Sequence, residues 1–183
     1  MSTSTHPGIG ETLQRVRRER GLSLRTLASR AGFSPSFVSQ VENGQTSPSI
    51  ASLEKLAANL DLRLVDFFGE LASSHEPTES TRRRQLESAW SRSSVEPVLP
   101  RDALQRLDAL EITIASGGRS GKKPSPAWSE QLVYVIEGRL TLELEGRALE
   151  LGPGNAAAIP LGRPYRWQND GEERARVLLV SVR

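Results

Sequence analysis

Residues 21–44, GLSLRTLASRAGFSPSFVSQVENG, constrain the fold of this chain more than any other stretch. Leu27, Ala31, Phe33, Val38 and Val41 fall where a corner between two short helices has to be buried. Ala28 suits close helix contact, and Gly32, four residues on, suits a turn that needs positive φ. Ser34 is placed to cap the second helix, and Pro35 at its first position gives up an N–H that has no helical partner. The pattern is that of two helices joined by a tight turn.

The flanking residues extend it. Ile9, Leu13 and Val16 mark the buried side of a preceding helix, which Gly21 ends. Thr46-Ser47-Pro48-Ser49 is a polar break. Ile50, Leu53, Leu56, Ala57 and Leu60 then recur at helical spacing. Leu64, Val65, Phe67 and Phe68 predict a short fifth helix. The expectation is an all-α, five-helix domain over residues 9–70, behind a disordered tail at 1–8.

With the run Ser39-Gln40-Val41-Glu42-Asn43-Gly44, residues 9–68 resemble the XRE-type, lambda-repressor-like helix-turn-helix DNA-binding domain. The resemblance implies that the second motif helix enters the major groove of double-stranded DNA. Its outward face would carry Ser34, Pro35, Ser36, Ser39, Gln40 and Asn43. Gln40 is the base-reading candidate, because an amide pairs with adenine N6 and N7 together. Ser36 and Ser39 would touch a base edge or a phosphate. Asn43, Thr46, Arg15, Arg17 and Arg25 would hold phosphate. Leu24 and Pro35 depart from the family, which often has a polar residue at each of those helix starts.

Charge agrees with this placement. The net charge of +2 says little, but residues 9–41 carry six arginines, at 15, 17, 18, 20, 25 and 30, against Glu11 and Glu19. The chain has 183 residues and no cysteine, which excludes disulfides, thiolate zinc sites and cysteine nucleophiles. No apolar run approaches the roughly 20 residues that span a bilayer. The start MSTSTHPGIGE lacks the basic and apolar segments of a signal peptide. The expected compartment is the cytoplasm, with no membrane contact.

Residues 71–80, LASSHEPTES, read as a linker. Arg82, Arg83 and Arg84 follow, and are expected to open a second domain over 81–183. From about residue 105 the pattern becomes alternating. Leu110, Ile112 and Ile114 alternate with Glu111 and Thr113; Leu140, Leu142 and Leu144 alternate with Thr141 and Glu143. Short strands broken by glycine pairs predict an all-β sandwich or barrel.

Gly154, Pro160, Gly162 and Asn169 match the second motif of the cupins, Gly-x5-Pro-x-Gly-x2-His-x3-Asn, with Tyr165 where the histidine belongs. Gly138 matches the closing glycine of the first motif. Counting back puts Gln131 at the glutamate, and Ser125 and Ala127 at the two histidines. The domain thus resembles a cupin, a small jelly-roll barrel. Metal-dependent cupins hold a divalent ion with three His and one Glu. Ser, Ala, Gln and Tyr do not replace that set: Ala127 has no donor, Gln131 is neutral, and a tyrosine titrates near ~10. The histidines of this chain, His6 and His75, lie in the tail and the linker. The expectation is no metal, no cofactor, no catalytic residue and no enzyme activity.

Alternation puts Ser125, Gln131, Val133, Tyr165 and Trp167 on the inward set, with Ala127. They either line a pocket for a small-molecule effector or fill the barrel. Glu130, one residue from Gln131, points the other way. The sequence therefore reads as a DNA-binding transcriptional regulator that reads an inverted-repeat operator as a homodimer. Its cupin domain senses a small molecule, dimerises, or both. The alternative is a constitutive DNA-binding protein with a purely structural cupin.

Overall fold

The computed structural model describes residues 8–68, 83, 85–99 and 106–182. The expected tail, apart from Gly8, and the expected linker at 71–80 lie outside the described residues, as do Arg82 and Arg84.

Four α-helices build the first half: α1 Ile9–Glu19, α2 Leu24–Ala31, α3 Pro35–Glu42 and α4 Ile50–Ala58. Serine hydroxyls start three of them. Ser23 accepts from the Thr26 N–H, Ser34 from Phe37 and Ser49 from Ser52, each filling an orphan donor of the first turn. Gly32 ends α2 at φ 62°, where a Cβ would be strained, so the chain turns sharply into α3. Leu13, Leu27, Ala28, Ala31, Val38, Leu56 and Leu60 form the fully buried centre of this core.

The fifth helix is corrected to a single 3₁₀ turn, Leu64–Phe68. The Asp66 carboxylate accepts from the Arg63 N–H at 2.7 Å, and the Asp66 N–H returns to the Arg63 carbonyl, which fixes a tight three-residue pitch. Phe67 enters the helical core, while its neighbour Phe68 enters the core of the other domain. Two adjacent aromatics pulled to opposite sides leave no amphipathic stripe for a longer helix.

The second half is two antiparallel sheets. One has the order β1 (Leu86–Ser88), β2 (Ser93–Pro97), β3 (Leu107–Ile114), β10 (Ala175–Val182), β5 (Glu130–Glu137), β8 (Ala156–Ile159). The other has the order β4 (Ser125–Pro126), β9 (Pro164–Gln168), β6 (Leu140–Leu144), β7 (Arg147–Leu151). Their inner faces share one core, with Ile112, Ile114, Val135 and Val177 from the first against Leu140, Leu142 and Trp167 from the second. The expected barrel is corrected to this open sandwich: among the described residues no ladder joins the two sheets. At one edge β4 meets β9 through Ser125–Tyr165 and Pro126–Pro164, and paired prolines have no N–H to continue a ladder. Arg83 reaches Glu96 on β2 and Glu111 on β3, at 3.5 Å each.

Arg17 does not lie free on the basic face of the first domain. Its guanidinium is buried and grips Glu42 in a fork, Nε to Oε1 at 2.6 Å and Nη2 to Oε2 at 2.8 Å. Its remaining Nη1 donates to the Leu22 carbonyl at 2.8 Å. The hydrogen bond to Glu42 holds its pKa above the usual arginine value. Arg17 therefore ties α1 to the end of α3, with its guanidinium engaged inside the domain. Arg17→Ala leaves a buried carboxylate without its partner, and should cost about 3–5 kcal/mol of unfolding free energy in a urea titration. A loss below about 1 kcal/mol, the scale of a surface pair, would mean that water replaces the guanidinium.

Candidate DNA-reading face and domain junction

Val38 and Val41 anchor α3 in the helical core and so fix which side faces out. Ser34, Pro35, Ser36, Gln40 and Asn43 are exposed, while Ser39 and Thr46 are half-buried. The Ser34 oxygen is engaged as the cap, and the Asn43 amide donates to Ser39 Oγ at 3.3 Å. The Gln40 carbonyl receives the N–H groups of Gln45 and Thr46, which closes the turn after α3 while its side chain stays exposed. Phe37, half-buried, stacks on Phe33 with centroids 4.9 Å apart. Arg15 and Arg25 are exposed on α1 and α2; Arg15 pairs with Glu19 at 2.8 Å on the surface.

The two domains meet at α4. Its first N–H groups find partners across the boundary: Ile50 N donates to Ser91 Oγ at 3.1 Å, and Ala51 N to the Ser120 carbonyl at 3.1 Å. Ser88 Oγ donates to the Pro48 carbonyl at 2.8 Å, just before the helix. Arg63 bridges to Asp108 at 3.0 Å. Ile50 and Phe68 pack in the sandwich core, and Leu64 and Leu86 touch both cores.

Glu54 completes the junction. It lies one turn after Ile50, is buried, and accepts a hydrogen bond from the Tyr165 hydroxyl at 3.1 Å. Tyr165 stands on β9 and Gln131 on β5, so a carboxylate of the helical domain enters the sandwich beside the two residues that the sequence motifs align with cupin metal ligands. Burial pushes the Glu54 carboxyl up to about 7, against the pull of hydrogen bonds from Tyr165 and Gln131. Burial, and then the Glu54 charge, push the Tyr165 hydroxyl well above 10. A cavity of about 50 Å³ adjoins Glu54, bordered by Ala57, Trp128, Ser129, Gln131 and Ser181. It is far below the roughly 300–1,000 Å³ of ordinary small-molecule sites.

A helix-turn-helix family model matches residues 13–67, and a cupin domain model matches residues 110–181. The HTH-type transcriptional regulator PuuR of Escherichia coli (strain K12) is 28% identical over 170 residues, covering 92% of this chain and 91% of that protein. The HTH-type transcriptional regulator SinR of Bacillus subtilis (strain 168) is 40% identical over 97 residues, 52% of this chain and 77% of that protein. The chain belongs to the XRE-type helix-turn-helix transcriptional regulators and carries a cupin domain. The crystal structure of an HTH_3 family transcriptional regulator from Vibrio cholerae has the same fold throughout, with a TM-score of 0.75 at 24% identity over 96% of this chain and 94% of that one. Among the described residues no helix of this regulator is long and apolar enough to cross a membrane.

The metal positions of its cupin domain do not fit a metal. Ala127 is buried without a donor, Ser125 pairs with Tyr165 across the β4–β9 edge, and Glu130 is exposed on the outer face. The remaining pair, Gln131 and Tyr165, are neutral groups directed at Glu54. Val133 and Trp167 pack into the core between the sheets, the filling alternative of the sequence reading. Asn169 is a fold residue: its amide donates to the carbonyls of Ile114 and Glu173 and its oxygen accepts from Gly171 N.

Glu54, Arg63, Asp108 and the serines at 88, 91 and 120 were invisible to motif reasoning. One signal for Glu54 was present. It sits four residues after Ile50 and three before Ala57, on the apolar stripe of the helix, where a charge needs a buried partner.

The raised pKa fixes a sign. An unfolded Glu54 titrates near 4.5, so between 4.5 and about 7 the folded chain keeps a proton that the unfolded chain has released. The contribution of this group is full below 4.5 and is lost as pH rises to about 7. Arg63 and Asp108 border the same cavity but neutralise one another. Glu54→Gln has no proton to lose and should flatten this limb. The melting temperature of the native chain minus that of Glu54→Gln should fall between pH 4.5 and about 7 and level off above it. Parallel profiles would place Glu54 in water.

Proposed function

We propose that this regulator is a cytoplasmic homodimer that reads an inverted-repeat operator, with Gln40 as its main base-reading side chain. The observation that carries this is the exposed polar face of α3, with Ser36, Gln40 and Asn43 held outward by the buried Val38 and Val41. Ser39, tied to Asn43, sits beside them, and Ser34 and Pro35 form the positive end of the helix, suited to a phosphate. Arg15, Arg25 and Thr46 flank the face as backbone contacts. The Arg15–Glu19 pair is worth little in water, so exchanging Glu19 for a phosphate is easy.

One helix-turn-helix makes few contacts, and two copies about 34 Å apart fit successive major grooves. The outer face of the six-stranded sheet supports pairing of two chains. Leu132, Tyr134 and Ile136 on β5 are exposed, side by side with Leu178 and Val180 on β10 and Ala156 and Ala158 on β8. A contiguous apolar sheet face of this kind calls for a partner, and a second copy brings the two helical domains together. The chain acts as a regulator and not as an enzyme, because the ligand positions lack a metal-binding set. The packed sandwich interior supports the dimerising role of the cupin; a sensing role has to run through the junction with α4.

Two measurements test the proposal. Against an operator selected from random DNA, Gln40→Ala should lose about 1–3 kcal/mol and relax the preference at one base pair per half-site. Unchanged operator binding would remove Gln40 from base reading. Leu132→Glu with Tyr134→Glu should turn a dimer into a monomer in sedimentation and weaken operator binding; a native chain that sediments as a monomer at micromolar concentration would end the dimer model.

A further inference from the structure

We propose that the sandwich carries a binding site for a small organic carboxylate, and that Glu54 occupies this site as an internal stand-in. The proposal rests on a sensing role that runs through the junction with α4, and names the chemistry that would be sensed. The Tyr165 hydroxyl donates at 3.1 Å to a carboxylate that comes from the other domain, and Gln131 borders the same small cavity as that carboxylate. Among the described residues no Lys or Arg nitrogen forms an ion pair with Glu54, so neutral groups alone surround a buried carboxyl that becomes charged as pH rises past about 7. A junction built only for cohesion is better served by an uncharged side chain, since buried charges are costly unless strongly paired. A carboxylate held this loosely is replaceable by another of the same chemistry.

The surroundings show what else the ligand would carry. Gln131 is 8% exposed, and its Oε1 is buried with no hydrogen-bond partner. The same residue borders the cavity of about 50 Å³, together with Ser129 and Ser181. That acceptor suits a hydroxyl on the carbon next to the carboxylate. Larger acids need the space that Glu54 would vacate.

Displacement has a direct mechanical result. Glu54 projects from α4, which also packs on α2 and whose first N–H groups donate to Ser91 and Ser120. Removing the Glu54 contact loosens α4 from the sandwich, and with it the pose of the DNA-reading helices. A ligand that binds only when Glu54 has left favours that loosened state, and operator binding then opposes or assists it by the same factor.

The test uses the full chain with Glu54→Ala and, as probes, acetate, glycolate and acetamide at constant ionic strength. Acetate replaces the deleted carboxylate and should raise the melting temperature saturably. Glycolate should bind more tightly than acetate, acetamide should have no effect, and Tyr165→Phe in the same background should weaken acetate at least tenfold. The native chain should bind acetate at least tenfold more weakly than Glu54→Ala, because Glu54 competes. No saturable response in Glu54→Ala, or equal affinity in the two proteins, overturns the proposal. Should Glu54→Ala fail to fold, hydrogen exchange of the native chain decides: glycolate should speed exchange at the amides of Leu53 to Ala57, and unchanged rates overturn the proposal. Operator affinity measured beside each titration separates the two readings. Carboxylate binding without any change in operator affinity leaves the site standing and removes the sensor role.

Discussion

The α4 helix belongs to both domains, and the rest of the molecule is arranged around that fact. A helix start carries N–H groups that its own backbone cannot satisfy. Here Ser49 satisfies one, and the sandwich satisfies those of Ile50 and Ala51. The same helix sends Ile50 into the sandwich core, Leu53 and Leu56 into the helical core, and Glu54 to Tyr165. Rotating α4 relative to the sandwich therefore breaks backbone hydrogen bonds, apolar contacts and a buried polar contact together. Arg63–Asp108 adds a half-buried ion pair at the other end of the junction. Domains joined in this way do not reorient freely, and a disturbance at Glu54 is felt by the helix that supports the DNA-reading corner.

What the sequence made legible was local. The corner at 21–44 follows from residues whose roles are set within a few positions: Gly32 for a left-handed turn, Ser34 for a cap, Val38 and Val41 for burial. The alternation in β3, β5 and β6 likewise puts each inner residue where it is found. What failed was non-local. Arg17 sits in a run of arginines that reads as a basic face, yet its partner Glu42 lies 25 residues away and the pair is buried. Charge counted along a chain treats every arginine alike, and only the fold distinguishes a surface cation from an internal tie. Phe68 failed in the same way, since the core that claims it is formed by strands far downstream.

The two buried carboxylates of the helical domain have different partners. Glu42 and Glu54 are both carboxylates on helical stripes that otherwise face a core, and both are buried. Glu42 receives a fork from a guanidinium, which matches its charge and geometry, and the same bond holds the Arg17 pKa above the usual arginine value. Glu54 receives a phenol and an amide, which match its geometry but not its charge, and its carboxyl is pushed up to about 7. The first arrangement is a tie. The second is a contact whose strength depends on protonation.

The loss of the cupin ligand set and the arrival of Glu54 fit together physically. Three histidines and a glutamate around a divalent ion make a positively charged, inward-facing centre, which a second carboxylate would enter only as a further ligand. With Ser, Ala, Gln and Tyr in those places the centre is neutral, and Ala127 brings only a methyl group to the interior. The donors that remain, a tyrosine hydroxyl and a glutamine side chain, need an acceptor once water is excluded. A carboxylate from a packed neighbouring domain meets that need without an ion. The junction thereby exchanges metal coordination, which is strong and local, for hydrogen bonding across a domain boundary, which is weaker and couples the sandwich to the helix beside it.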